Sequence, residues 1–512
     1  TYSGTSLNLG ANELTLSGGG TFNNSNALVL NNADSLLSLA GIVTIGGVNA
    51  TDNASSGKGI QVVESATLGS FDLTATSFLD IAASKTINGP ITVQSNGELN
   101  ISGSGDYLGN MELAGGKFSA TDNRTLSGTL SITANSELTV LENYTLVLNQ
   151  SGGLPLGANT LTLSGGGTLQ SSRLELDDTD SKLKLSSIIV SNVITSADSL
   201  GLEIDDNSTI TSLSISNLSP VSITDGKSLS GGITVNTGGT VQLADNGTIA
   251  ADISMNGGTI DADESLTISG TVTQAGNATI DVLADKTLTF STGEIKTESH
   301  QLTLAGAGTI AFPSNASGIV LNNAAGLLKL DGTGTLGAAK VTAVSNAGKG
   351  LAVNASSTIS SLKVAANTEL NVAQSKTLSG STEVAENKTL TLSGTGTLNS
   401  ALNLLGTLEA GANLTVSGAI SIADNATVSI PASGTTLTYT GGNLNVGSHT
   451  LSIGGAGTFS NATGSPLVLD VADSILSLTG NGTISGPMKL ESGTLKASSG
   501  TPTISGTLTQ YD

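Results

Sequence analysis

The chain contains no cysteine and no tryptophan, and aromatic residues make up only 2% of its 512 positions. Without cysteine there is no disulfide, no thiolate metal ligand and no cysteine nucleophile. Without large rings, a sandwich-type core lacks its usual anchors. Charge is also scarce, at 11% against a usual share of about 25%. It runs mostly one way: 40 acidic residues against 18 basic ones give a net charge of −22. Such a surface repels nucleic-acid phosphates, and the two arginines, Arg124 and Arg173, offer little for recognising them. No basic face suits a membrane surface, and no run approaches the roughly 18 apolar residues that span a bilayer. Nucleic acid and direct membrane insertion are therefore excluded as expectations. The chain opens on Thr1 with no visible signal peptide, which reads as a processed protein or a piece of a longer one.

What is present is glycine (66 residues), with abundant Ser, Thr and Asn, and a 37% apolar fraction that is mainly Leu, Ile, Val and Ala. That is too apolar for a disordered tail, so the chain buries a core made of aliphatic side chains.

The sequence repeats itself at long range. "ELTLSGGGTF" (13–22) returns as "TLTLSGGGTL" (160–169), "QLTLAGAGTI" (301–310) and "TLSIGGAGTF" (450–459). The first leucines of these phrases, Leu14, Leu161, Leu302 and Leu451, are 147, 141 and 149 positions apart. Lys85, Lys227 and Lys376 mark a second phase of the same period, at intervals of 142 and 149. A third marker is "LVLNNADSLLSL" (28–39), with counterparts at 174–185, 319–330 and 467–478. Residues 1–512 thus read as one continuous body of about three and a half repeats of about 146 residues, starting near 14, 161, 302 and 451.

Within each repeat, apolar and polar residues alternate over three to six positions, as in Leu390-Thr391-Leu392 and Val428-Ser429-Ile430. Alternation of that length predicts half-buried strands. No helical period runs beyond two turns. The turns repeat as well, with an acid-Asn-x-Ser/Thr core at Asn53, Asn123, Asn143, Asn207, Asn246, Asn387 and Asn425. Asn accepts the left-handed conformation and Asp caps a turn with its own side chain. A turn of one form implies a geometry of one form. Coils too small to bury their own apolar side do so by stacking. The fold expected is all-β: a right-handed parallel β-helix forming a single elongated rod, with about 20–25 residues per coil. A string of sandwich domains fits less well, because the repeat exceeds the roughly 100 residues of such a domain and nothing resembles a linker.

"TYTGGNLNVG" (438–447), the phrase at 450–459 that follows it, and "NKTLTLSGTGTLNS" (387–400) resemble the strand repeats of bacterial autotransporter passengers and related haemagglutinin-like adhesins. That resemblance implies a secreted right-handed β-helix used for adhesion, biofilm or surface coating. It does not extend to a C-terminal membrane barrel or a secretion domain.

Some β-helices act on polysaccharides, and such sites need clustered carboxylates with a tuning cation nearby. The only histidines, His300 and His449, occupy the phase held by Asn12 and Asn159, which reads as a turn position. Carboxylates gather at Asp177-Asp178-x-Asp180, Asp205-Asp206 and Asp261-x-Asp263-Glu264, all in apparent loops. Solvated surface explains them; structural calcium is the alternative, since calcium takes several oxygen ligands. Against a metal, Asp34, Asp180 and Asp473 share one phase that the third repeat fills with Ala325. The "SGGGT" stretches lack the Lys-Ser/Thr of a phosphate loop and read as corners. No catalytic residue and no cofactor are expected. The seven turn asparagines each satisfy N-x-S/T and would be the acceptors in a source that glycosylates secreted proteins.

The function expected is an extracellular structural or adhesive scaffold at a microbial surface, either an adhesin stalk or a subunit stacking head to tail on itself. The alternative is a module binding host protein or glycan, with a polysaccharide-acting enzyme more remote.

Overall fold

The computed structural model describes residues 5–24 and 26–511. The chain divides into two compact units, Thr1–Ile253 and Ser254–Asp512. Both are all-β, with no helix among the described residues. Within each unit the strands stack in parallel as a β-solenoid, with twelve strands on its first face.

One turn of the solenoid has three faces, each built by its own strand in some coils, while in others one long strand such as Ser357–Val364 covers the second and third. In the first unit, Lys117–Ala120 forms the first face, Arg124–Leu126 the second and Leu130–Ala134 the third. The chain then returns to the first face at Ser136–Val140. In the second unit the same cycle runs through Thr407–Ala410, Leu414–Val416 and Ile420–Ile422, and returns at Ala426–Ile430. In-register partners lie between 18 positions apart, as for Thr389 and Thr407, and 26 apart, as for Gln301 and Leu327. The four opening phrases all fall on the first face, at Glu13–Ser17, Thr160–Ser164, Gln301–Gly306 and Thr450–Gly455. Each phrase lies on the seventh first-face strand after the one before it. The long repeat is therefore seven coils.

The alternation places one residue in two inside, and stacking puts like on like. In the first unit Leu37, Ile60, Leu79, Ile101, Ala120 and Val140 form one in-register interior column, each at most 1% exposed. In the second unit Leu408, Val428, Ile453 and Leu478 form another buried column, each at most 6% exposed. Fully burying one such side chain is worth about 1.5–3 kcal/mol. Some of the few rings also meet across coils: Phe290 stacks on Phe312 at 5.4 Å and Tyr439 on Phe459 at 6.5 Å. An aliphatic column can thus do the work that aromatics do elsewhere.

Candidate functional site

The recurring turns join each coil to the next. The side-chain oxygens of Asn53, Asn123, Asn207 and Asn425 accept the backbone N–H of Thr76, Thr145, Ser228 and Thr450 at 2.8–2.9 Å. Each partner lies one coil further on. Asn143 and Asn387 instead take the left-handed conformation, at φ 70° and 58°. Asn246 is exposed in its turn. All seven residues are exposed, but in four of them the amide oxygen is already committed to the neighbouring coil.

A second device recurs once per seven coils, at the phase of the histidines. Gly10, Gly157, Glu298 and Gly447 have φ of 55°, 54°, 48° and 61°. Two residues later come Asn12, Asn159, His300 and His449, whose carbonyls accept the N–H of Leu36, Lys182, Leu327 and Ile475 in the next coil. Both histidines are turn residues in this structure. One coil on, Ser35, Ser181 and Ser474 are fully buried and donate to the carbonyls of Gly10, Gly157 and Gly447 at 2.6 Å. The same hydroxyls accept the N–H of Asn32, Asp178 and Val471. The third repeat has Gly326 in place of the serine. A Cβ there would stand 2.7 Å from the hydroxyl of Thr297, which is itself buried where the other repeats have Leu9, Leu156 and Val446. The Thr297 hydroxyl donates to the Val320 carbonyl at 3.4 Å, a different contact from the one the serines make.

The same turn explains Asp34, Asp180 and Asp473. Their backbone lies in the tight turn before the serine, and their carboxylates are exposed. Asp34 and Asp180 are held through their N–H groups by Asn32 and Asp178, as Ala325 is held by Asn323. Alanine serves there because the turn uses only the backbone.

The other carboxylate groups do not converge. Asp177 accepts the N–H of Gly157. Asp205 is exposed, while Asp206 accepts from Lys227 at 2.8 Å. That lysine, the N–H of Asn207 and the hydroxyl of Ser187 hold Asp206 down to a pKa of about 2. Glu264 pairs with Lys286 at 2.5 Å. Asp261 stacks in register on Asp281. Burial first, then the charges of Asp263 and Asp281, push its carboxyl above the ordinary range. Among the described residues no three of His, Asp and Glu gather as a metal site needs. The glycine-rich corners are steric rather than phosphate-binding: a Cβ on Gly165 would stand 2.4 Å from the Val140 carbonyl.

Two features escape a sequence reading. Lys85, Lys227 and Lys286 close left-handed turns and reach back one coil to Glu64, Asp206 and Glu264. Lys376, at the same phase, has Ala355 and Ser356 where the acid would stand, and Ser356 accepts the N–H of Thr377 instead. Arg124 points inward and is 5% exposed, donating to the carbonyls of Gly105 and Gly103 at 2.7 and 2.5 Å and to Asp122 at 3.0 Å.

An open groove of about 570 Å³ lies on the first face of the first unit. Its floor includes Glu98, Lys117 and Glu137, stacked in register, with Lys117 3.7 Å from Glu137. Asn96, Asn135 and Lys184 line it further. Alternating charge suits hydrogen bonding to a polar chain, but the groove has no aromatic platform. Searches of family models, characterised proteins and solved structures find no match to this chain.

Proposed function

We propose that the chain is an extracellular structural or adhesive scaffold at a microbial cell surface, of the type its repeats resemble in autotransporter passengers and haemagglutinin-like adhesins. It works as an adhesin stalk or as a subunit stacking on itself, takes no cofactor and is not an enzyme. The observation that supports this reading is where its polar residues go. The recurrent Asn, Ser and Lys contacts bind one coil to the next rather than converging on a reaction centre. Ladders of backbone bonds and side-chain staples resist local opening, which a surface scaffold needs against proteases and shear. The net charge of −22 favours solubility of the exposed faces. Antibody raised against the purified chain should label intact source cells, and electron microscopy should show particles or fibres of stacked coils. Labelling only after lysis would overturn the surface assignment.

The polar groove at Glu98, Lys117 and Glu137 favours a second reading, a module that binds host protein or glycan. A glycan array separates the two: saturable binding that Lys117→Ala removes would make recognition the primary role.

A further inference from the structure

The three faces of the second unit differ in charge. The first carries Asp261, Asp281, Lys329 and Glu409. The third carries Lys340, Lys363 and Glu383, with Lys363 and Glu383 paired at 3.0 Å. The second face has threonine instead. Thr287 stacks in register on Thr309, Thr309 on Thr335 and Thr335 on Thr358. Thr377 stacks on Thr397 and Thr397 on Thr415. Thr358 leads on to Ser379 and Thr415 to Thr438, while Thr436, Thr458, Thr483 and Thr503 form a further in-register column, two residues to the N-terminal side of the one before. Two residues further along each strand the outward position is again small and neutral, as at Thr289, Ser379, Thr438 and Ser460. In a protein of net charge −22, these columns and the outward positions two residues beyond them carry no charged residue from Thr287 to Thr503.

Cross-strand threonine pairs stabilise a sheet, which accounts for some of this enrichment. It does not account for the exclusion of charge from one face only. Nor does it account for the hydroxyls of Thr309, Thr335, Thr397 and Thr458, which make no hydrogen bond to any described residue. They are left to the solvent, each beside its own methyl group.

We propose that this face binds ice. Parallel strands hold the hydroxyls about 4.8 Å apart along the column, and alternate residues of a strand lie about 6.6 Å apart. The first spacing falls within a few tenths of an ångström of the oxygen repeat on a face of hexagonal ice. A fixed row of hydroxyls and methyls orders its first water layer in that spacing, and well-ordered bridging water costs little to retain. Charged side chains would impose hydration shells of their own, and this face has none. A crystalline polysaccharide is the weaker partner, because it is gripped by exposed rings and these two rows contain no ring. The inference stands apart from the scaffold reading, since it requires only the face.

The test uses the full chain, with freezing-point hysteresis and partition into a slowly growing ice hemisphere as readouts. The unaltered protein should show hysteresis and enter the ice. Thr335→Tyr with Thr397→Tyr should lose most of both effects while keeping the β-rich circular dichroism spectrum. Thr391→Tyr, outward on the charged first face, is the control and should keep them. No hysteresis from the unaltered protein, or equal loss in the control, overturns the proposal. So does concentration-dependent self-association abolished by the double variant in a protein that ice excludes, which would assign the face to a second copy.

Discussion

Replacing Ser181 with alanine tests the interlocking of coils at a single atom. The hydroxyl is fully buried, donates to the Gly157 carbonyl at 2.6 Å and accepts the Asp178 N–H at 2.9 Å. Alanine keeps the Cβ and removes both contacts, and no water reaches the two groups left behind. An unsatisfied buried polar group costs about 1–3 kcal/mol, so the pair should cost about 2–4 kcal/mol. A stacked-coil protein unfolds in segments, so a local readout resolves this single contact more sharply than a global midpoint. Amide hydrogen exchange at Asp178 and Lys182 reports the local opening, and it should accelerate roughly 30- to 1,000-fold. If Ser181→Ala exchanges within a factor of two of the unaltered chain, the staple does not hold the coils.

Glu298→Gly should stabilise the third repeat by up to about 1 kcal/mol, because it relieves a left-handed glutamate at φ 48° at some cost in chain entropy; thermal unfolding checks the sign. Asn425→Ala should cost about 0.5–1.5 kcal/mol, whereas Asn425→Asp should be nearly neutral, because the site needs only an acceptor for the Thr450 N–H. Arg124→Ala should cost about 2–4 kcal/mol in urea unfolding, since it strips two inward carbonyls of a charged donor. Asp206 is held down to about 2 by Lys227, so the stability it contributes is present above the ordinary carboxylate range and lost as pH falls from about 4 to 2. An unfolding series across that window should be flatter in Lys227→Met, and an equal slope in both proteins would contradict the pairing.

The β-solenoid was legible in the sequence because its two signals are local. Alternation such as Leu14-Thr15-Leu16 gives the strand, and the returning phrases give the stacking. The number of coils per repeat was not legible, because coils of 18 to 26 residues vary in their turns and blur any fixed short period. The acid-Asn turns were visible, yet not what they do. The partner of Asn425 is a backbone N–H 25 positions away, and a backbone group leaves no mark in a sequence. Ser181 was hidden for the same reason, its acceptor being the Gly157 carbonyl. Lys85 could be seen as a phase marker, but its pairing with Glu64 follows only once the coil length is known. The groove was beyond reach, since its floor joins Glu98, Lys117 and Glu137 from three coils. The threonine rows were present as scattered T-x-S and T-x-T strings that only the register aligns.

The most direct measurement of the stacking itself exploits the absence of cysteine. Glu98, Lys117, Glu137, Thr162, Lys184, Glu203 and Ser222 stand one above another in the first unit. Spin labels on Glu98→Cys and Ser222→Cys would be the only ones on the protein, and pulsed electron resonance would read their separation. Six strand spacings put the two backbones about 29 Å apart, and the labels should give one narrow peak near that distance. A broad distribution, or a peak far beyond it, would contradict coils stacked in this register.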